Sequence, residues 1–196
     1  MPDRKSSLER NTLETKISVS INLDGSGISI VKTGIGFFDH MLTHLAKHSL
    51  CDITVKCDGD LEVDAHHTVE DVGIAIGKVI ADAVGNKAGI HRYGSSIVPM
   101  DEALVMTALD ISGRGELVYG LVIEKDMIGD FDCELTSEFF KALVNNAGIN
   151  AHIKQLDGSN AHHIVEAAFK SFAQALRQAL TMDERIKGIP STKGVL

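Results

Sequence analysis

The period of apolar and polar side chains changes several times along the chain, and each change marks a predicted element. Between Thr12 and Leu23, the residues Ile17, Val19, Ile21 and Leu23 fall on alternate positions, which predicts a strand with one buried face. Asp24-Gly25-Ser26-Gly27 reads as its turn and Ile28-Ser29-Ile30 as the start of a return strand. Past the Gly34-Ile35-Gly36 bend the period lengthens. Phe38, Met41, Leu42 and Leu45 take helical spacing, with His40, His44 and His48 on a second face of the same helix. A strand is predicted from Cys51 to Cys57, a turn at Asp58-Gly59-Asp60 and a short strand at Leu61-Glu62-Val63. Val72, Ile76, Val79, Ile80 and Ala83 then trace a helix that Gly85 stops.

From Gly94 the order repeats, with strands predicted at Glu102 to Ile111 and Leu117 to Glu124 and a helix from Thr136 to Ala147. A strand around Ile149 to Gln155 and a long helix reaching about Met182 complete the second half. The chain therefore reads as an α+β protein of two tandem half-repeats, about 1–93 and 94–196. Each is a small sheet with helices packed on one face, and the two together form a single domain over 1–196.

The repeat also carries a word, His66-His67-Thr68-Val69-Glu70, which returns 96 residues later as His162-His163-Ile164-Val165-Glu166. In each copy the first His and the Glu are four apart, so on a helix they lie one above the other within reach of one ion. The second His points about 100° away and is free to serve another. Two copies suggest two metals in exchange: His66 and Glu70 with His163 on one, and His162 and Glu166 with His67 on the other. A lone His-His pair is an ordinary helix-start feature. Two in register, each followed by a matching run, indicate a duplicated gene and a metal function. With a slip to an offset of 98, His40-Met41-Leu42-Thr43 falls on Glu138-Phe139-Phe140-Lys141. If His40 is a further ligand of one ion, Glu138 is its counterpart on the other. Mixed imidazole and carboxylate donors suit Mn²⁺, Zn²⁺ or Fe²⁺, and the absence of cysteine argues against a closed structural zinc site.

Composition narrows the picture without changing it. A chain with 44% apolar and 23% charged residues is ordinary globular protein, and a net charge of -8 without a long basic run argues against a nucleic-acid surface. The odd set Cys51, Cys57 and Cys133 lacks C-x-x-C spacing and favours reduced thiols in a cytoplasmic setting. No apolar run approaches the roughly 20 residues that span a bilayer, and the charged opening Met1-Pro2-Asp3-Arg4-Lys5 has no apolar stretch behind it to make a signal peptide.

Five segments together resemble the imidazoleglycerol-phosphate dehydratases of histidine biosynthesis. They are Phe38-Asp39-His40-Met41-Leu42, Asp64-Ala65-His66-His67-Thr68-Val69-Glu70-Asp71, Asp110-Ile111-Ser112-Gly113-Arg114, Asn160-Ala161-His162-His163 through Lys170, and Pro190-Ser191-Thr192-Lys193-Gly194. The resemblance runs from about Arg10 to Leu196. It implies a duplicated fold of the ribosomal protein S5 domain 2-like kind, one catalytic domain, two Mn²⁺ ions per site, and sites assembled between subunits of a 24-subunit shell. It further implies Glu14 and Glu166 as candidate acid and base. Arg92, Arg114, Lys170, Ser191, Thr192 and Lys193 would hold the substrate phosphate, as forked or clustered cations do. Lys170 stands apart, because its place four residues after Glu166 on one helical face follows from spacing. Glu138 stands where many relatives carry His. His44 stands where some have Gln, and so either touches substrate or stacks on its helix.

The implied dehydration removes a carbon-bound proton with no neighbouring carbonyl, so the substrate ring must take the electrons, and Lewis acids at its nitrogens would make it a better sink. Two other classes fit some of these residues. A binuclear phosphoester hydrolase would use the ions to activate water, and a metal-storage protein would need the ligands without the cations Arg92, Arg114, Lys170 and Lys193.

Overall fold

The structure is a computed structural model that describes residues 4–196, so the first three residues of the charged opening lie outside the described residues. The first half runs β1 (Lys5–Asn11), β2 (Thr15–Asn22), β3 (Ser29–Lys32), α1 (Gly36–Ser49), β4 (Asp52–Gly59) and α2 (His66–Val84). The second runs β5 (Tyr93–Met100), β6 (Ala103–Asp110), β7 (Glu116–Gly120), a small ribbon of β8 (Met127–Ile128) and β9 (Phe131–Asp132), α3 (Leu135–Ala147), β10 (Asn150–Asp157) and α4 (Ala161–Leu180). The two four-stranded sheets have the orders β1-β2-β4-β3 and β5-β6-β10-β7. In each, the first three neighbours are antiparallel and the last pair is parallel. One topology is thus used twice.

Alternation makes these sheets one-sided. Ile17, Val19 and Ile21 of β2 and Ala103, Val105, Thr107 and Leu109 of β6 are buried, while the residues between them are partly or fully exposed. The helices cover the apolar faces, and across the molecule they pair with the other half: α1 packs on α4 and α2 on α3. The four helices therefore lie between the two sheets. Phe38 of α1, Phe139 and Phe140 of α3, and Phe169 and Phe172 of α4 meet there, fully buried, with ring centroids 4.7 to 5.4 Å apart. Along the α2–α3 seam two glycines allow the backbones to approach. A β-carbon at Gly73 would stand 2.9 Å from the Phe139 carbonyl oxygen, and one at Gly77 would stand 2.5 Å from that of Leu143.

The fold departs from the sequence reading at several edges. β1 and β5 are additional strands: Lys5–Asn11 offers one large apolar side chain, Leu8, and so carries little alternation. β3 does not return against β2 as a hairpin but pairs in parallel with β4, which enters between them. Leu61-Glu62-Val63 is a turn, closed by the Val63 N–H donating to the Asp60 carbonyl at 2.8 Å. β7 ends at Gly120 instead of Glu124. Among the described residues no helix is long and apolar enough to cross a membrane.

Candidate metal and active site

Both words open a helix, and the side chain two residues before each accepts a backbone N–H of the word, from the N-cap itself at α4 and from the residue before the N-cap at α2. The Asp64 carboxylate accepts the His66 N–H at 2.7 Å, while the Asn160 side chain accepts those of His162 and His163 at 3.0 and 3.3 Å. This fixes the start of α2 and α4, and with it the direction of the histidines in the first turn. Within each word the two imidazoles diverge, with ring planes 89° apart for His66 and His67 and 79° apart for His162 and His163.

The α1–α4 pairing brings a cluster together. Glu166 is buried, its side chain 6% exposed, and both of its oxygens are engaged. Oε2 lies 3.2 Å from His162 Nε2 and 3.6 Å from His40 Nε2. Oε1 accepts from Lys170 Nζ at 2.5 Å and lies 3.5 Å from His44 Nε2. The Nε2 atoms of His40 and His44 are 3.1 Å apart, and Phe37 meets the His162 ring edge-on at 5.1 Å. Burial pushes the Glu166 carboxyl up, but the hydrogen bond and charge of Lys170, with the His162 hydrogen bond, outweigh it, so the group is held below the usual glutamate range. Burial moves His44 the opposite way, because the charged form of a base is its protonated one: its pKa falls to about 4 and it is a neutral imidazole at pH 7.

This cluster fits a divalent cation. One donor atom each from His40, His162 and Glu166 lies within 4.8 Å of the others. The set combines two imidazoles with a charged carboxylate, a mixture suited to borderline and harder divalent ions. The second group is looser. His66 Nε2 and Glu70 Oε2 are 3.9 Å apart on α2. Glu138 sits on α3, the helix packed against α2, and faces Lys141 at 3.6 Å. The exchange of helices between halves thus pairs His40 with the second word and puts Glu138 on the helix beside the first.

His67 and His163 join neither group within the chain. His67 Nδ1 bonds Asp60 at 2.9 Å and its Nε2 lies 3.7 Å from Glu14. His163 Nδ1 bonds Glu102 at 2.6 Å and its Nε2 lies 3.6 Å from Asp101. Both imidazoles are held above the usual histidine range, chiefly by those hydrogen bonds. Glu14 itself rides on the β1–β2 turn. Thr12 Oγ1 accepts the N–H groups of Glu14 and Thr15, while Thr15 Oγ1 donates to the buried Asp71 of α2, which also accepts from Arg10.

The cations read as phosphate ligands are spread along the second half and the tail. Arg92 has a forked bond to Asp110 at 2.7 and 3.0 Å and donates to the Pro190 carbonyl at 2.9 Å, so its guanidinium ties the tail that carries Ser191, Thr192 and Lys193 to the end of β6. Arg114, Thr192 and Lys193 are exposed, and Ser191 Oγ accepts the Lys193 N–H at 3.2 Å. Periodicity has no means of finding that Asp60 and Glu102 bond histidines of the two words or that Asp71 holds Thr15. These acids stand at no ligand spacing: Asp60 lies in a predicted turn, Glu102 at the start of a predicted strand, and Asp71 just past the first word.

Comparison with known proteins places these residues in a family. The profile described as imidazoleglycerol-phosphate dehydratase matches residues 33–176. The imidazoleglycerol-phosphate dehydratase of Acetivibrio thermocellus is 57% identical over 194 residues, covering 99% of this chain and 100% of the relative. The crystal structure of the Staphylococcus aureus enzyme of that name superposes with a TM-score of 0.84 at 38% identity, covering 91% of this chain and 99% of that one. That of the Pyrococcus furiosus protein gives 0.83 at 40% identity, covering 96% and 100%.

Proposed function

The chain belongs to the imidazoleglycerol-phosphate dehydratase family, a family of lyases, and we propose that it converts imidazoleglycerol phosphate to imidazole acetol phosphate and water in histidine biosynthesis, in the cytoplasm. The observation that carries this reading is the buried, charged Glu166 ringed by His40, His44, His162 and Lys170. It is a donor set for a divalent ion, with a cation alongside for an anionic substrate.

His40, His162 and Glu166 would hold one Mn²⁺, joined by a His67, and His66, Glu70 and Glu138 the other, joined by a His163. When bound, the two ions would supply Lewis acidity at the nitrogens of the substrate ring, lowering its pKa so that it can take the electrons left by proton removal. Other divalent metals with the same donor preference could substitute.

The residues of the chain supply the rest. Glu166 has both oxygens committed, which makes it a poor carrier of a proton. Glu14 has its carboxylate half exposed on a turn, 3.7 Å from the nearest imidazole nitrogen, and is free to take the carbon-bound proton. Loss of that proton and of the neighbouring hydroxyl, which leaves with a proton as water, gives an enol that ketonises to the product. Lys170 keeps Glu166 ionised, and Arg114, Ser191, Thr192 and Lys193 bind the phosphate, on a tail that Arg92 ties down. His44, held neutral, borders the substrate.

Because His67 and His163 turn away from the donors of their own chain, complete sites form between copies, consistent with a 24-subunit shell. Leu13, beside Glu14, is fully exposed in the single chain, as expected of a side chain that another copy covers. The test is a product assay with imidazoleglycerol phosphate, with and without Mn²⁺. Imidazole acetol phosphate should form only with the ion, and Arg114→Ala should lower kcat/KM about 10- to 100-fold with Mn²⁺ content unchanged, the worth of a charged hydrogen bond. Release of inorganic phosphate instead would identify a hydrolase.

A further inference from the structure

The two histidines that leave the intrachain clusters share an arrangement that the duplication does not account for. In His67 and His163 alike, Nδ1 meets a carboxylate oxygen, from Asp60 at 2.9 Å and from Glu102 at 2.6 Å. His66 and His162 instead turn Nε2 toward the Glu four residues on. The two carboxylates come from places that do not correspond in the repeat. Asp60 follows β4, the strand before α2. Glu102 lies in the β5–β6 turn, whose counterpart in the first half is the β1–β2 turn carrying Glu14. Had the pairing been a by-product of the duplicated backbone, both partners would come from equivalent positions. That it is reached from two different loops makes it a requirement of the histidine.

A neutral imidazole carries one N–H and one lone pair. With a carboxylate against Nδ1, the proton sits there and the lone pair is on Nε2. We propose that Asp60 and Glu102 are positioning residues that fix the tautomer and ring direction of His67 and His163, so that each presents Nε2 as a donor to an ion whose other ligands belong to a neighbouring copy. Glu102 is itself held for this. Its Oε1 accepts the N–H groups of Asn160 at 2.9 Å and Ser159 at 3.4 Å, leaving Oε2 for the imidazole. A carboxylate behind a ligating histidine also makes the ring a stronger donor, and its loss typically weakens metal affinity about 10- to 100-fold. This inference rests on the metal reading above.

The test is Mn²⁺ titration of the whole protein after chelation and dialysis, with free Mn²⁺ followed by its electron paramagnetic resonance signal. Glu102→Gln keeps an oxygen for the Ser159 and Asn160 N–H groups while removing the charge, and Asp60→Asn removes the charge behind the other histidine. Each is expected to weaken Mn²⁺ binding about 10- to 100-fold at the ion its histidine serves, with the melting temperature of the metal-free protein unchanged. A residue of merely structural importance would shift the melting temperature and leave the titration alone. If both variants bind Mn²⁺ like the unaltered protein while His67→Ala and His163→Ala lose sites, the positioning role is wrong and the metal reading stands. If the unaltered protein binds no Mn²⁺, both are wrong.

Discussion

Replacing Gly77 by alanine sets two effects of opposite sign against each other. Inside a helix alanine is favoured over glycine by about 0.8 to 1.0 kcal/mol, so an exposed site would gain stability. Gly77 faces α3, and its new methyl would lie 2.5 Å from the Leu143 carbonyl oxygen, 2.8 Å from Asn146 Cβ and 3.1 Å from the Ala147 nitrogen. Two of these three atoms are backbone and cannot rotate away, so the helices must separate. Overpacking costs roughly 1 to 3 kcal/mol, and backbone contact on two atoms argues for the upper figure. The net is a loss of about 2 kcal/mol, or about 4 to 8 °C of melting temperature for a chain of this size. Thermal unfolding followed by circular dichroism in chelator measures it. Gly36→Ala at the first position of α1 is the control, because a methyl there meets nothing within 4 Å; it should be neutral or slightly stabilising. A Gly77→Ala protein that melts at or above the unaltered one would show that helix propensity dominates and that the α2–α3 seam is not tight.

Three further outcomes follow from the same structure. Burial pushes the thiols of Cys51 and Cys57 up to about 11, so neither should react with a disulfide reagent at pH 8 until the protein is denatured. Arg4 bonds Asp24 and the Leu180 carbonyl, and the hydrogen bond from Arg4 holds the Asp24 carboxyl below 3.8 against the opposing effect of burial. With the folded value depressed, the contribution is present above the unfolded value and lost as pH falls through the folded one. The melting-temperature gap between the unaltered protein and Asp24→Asn should therefore be constant at neutral pH and close in acid. If ions stitch copies together, EDTA should reduce the particle size on a sizing column and Mn²⁺ should restore it; an unchanged elution volume would place assembly on apolar contacts alone.

Strong periods in the chain translated well into elements. The helices carried by Phe38, Met41, Leu42 and Leu45 and by Val72, Ile76, Val79 and Ile80 are α1 and α2, and the alternation of Ile17, Val19 and Ile21 is β2. Edge strands were harder to read. β1 shows one apolar residue to the core and pairs on one side only, so backbone hydrogen bonds and not side-chain burial define it. The misread hairpin has a related cause. A turn sequence such as Asp24-Gly25-Ser26-Gly27 reverses the chain locally, but Ser26 and Ile28 donate their N–H groups to Asp52 of β4, and that contact carries β3 to the far side of β4. The partner of a strand is a long-range fact, and local spacing has no access to it.

Spacing read correctly that His162 and Glu166 share one face of α4 and that Lys170 lies beyond them, since a helix fixes the geometry between residues four apart. The overlay of the two halves set His40 against Glu138 but left open which word His40 joins, because α1 and α4 meet only through tertiary packing. The same packing settles why the repeats are tied so closely: each half lends a helix to the other's word, so neither sheet with its own helices alone assembles His40 with Glu166. Asp60 and Glu102 lay beyond any such rule. Each reaches its histidine from a turn, one seven residues away and the other 61, at separations no helical or strand period relates. Candidate ligands leave a trace in spacing because one helix carries several of them, whereas the carboxylates bonded to their histidines arrive singly from wherever the fold brings a loop near.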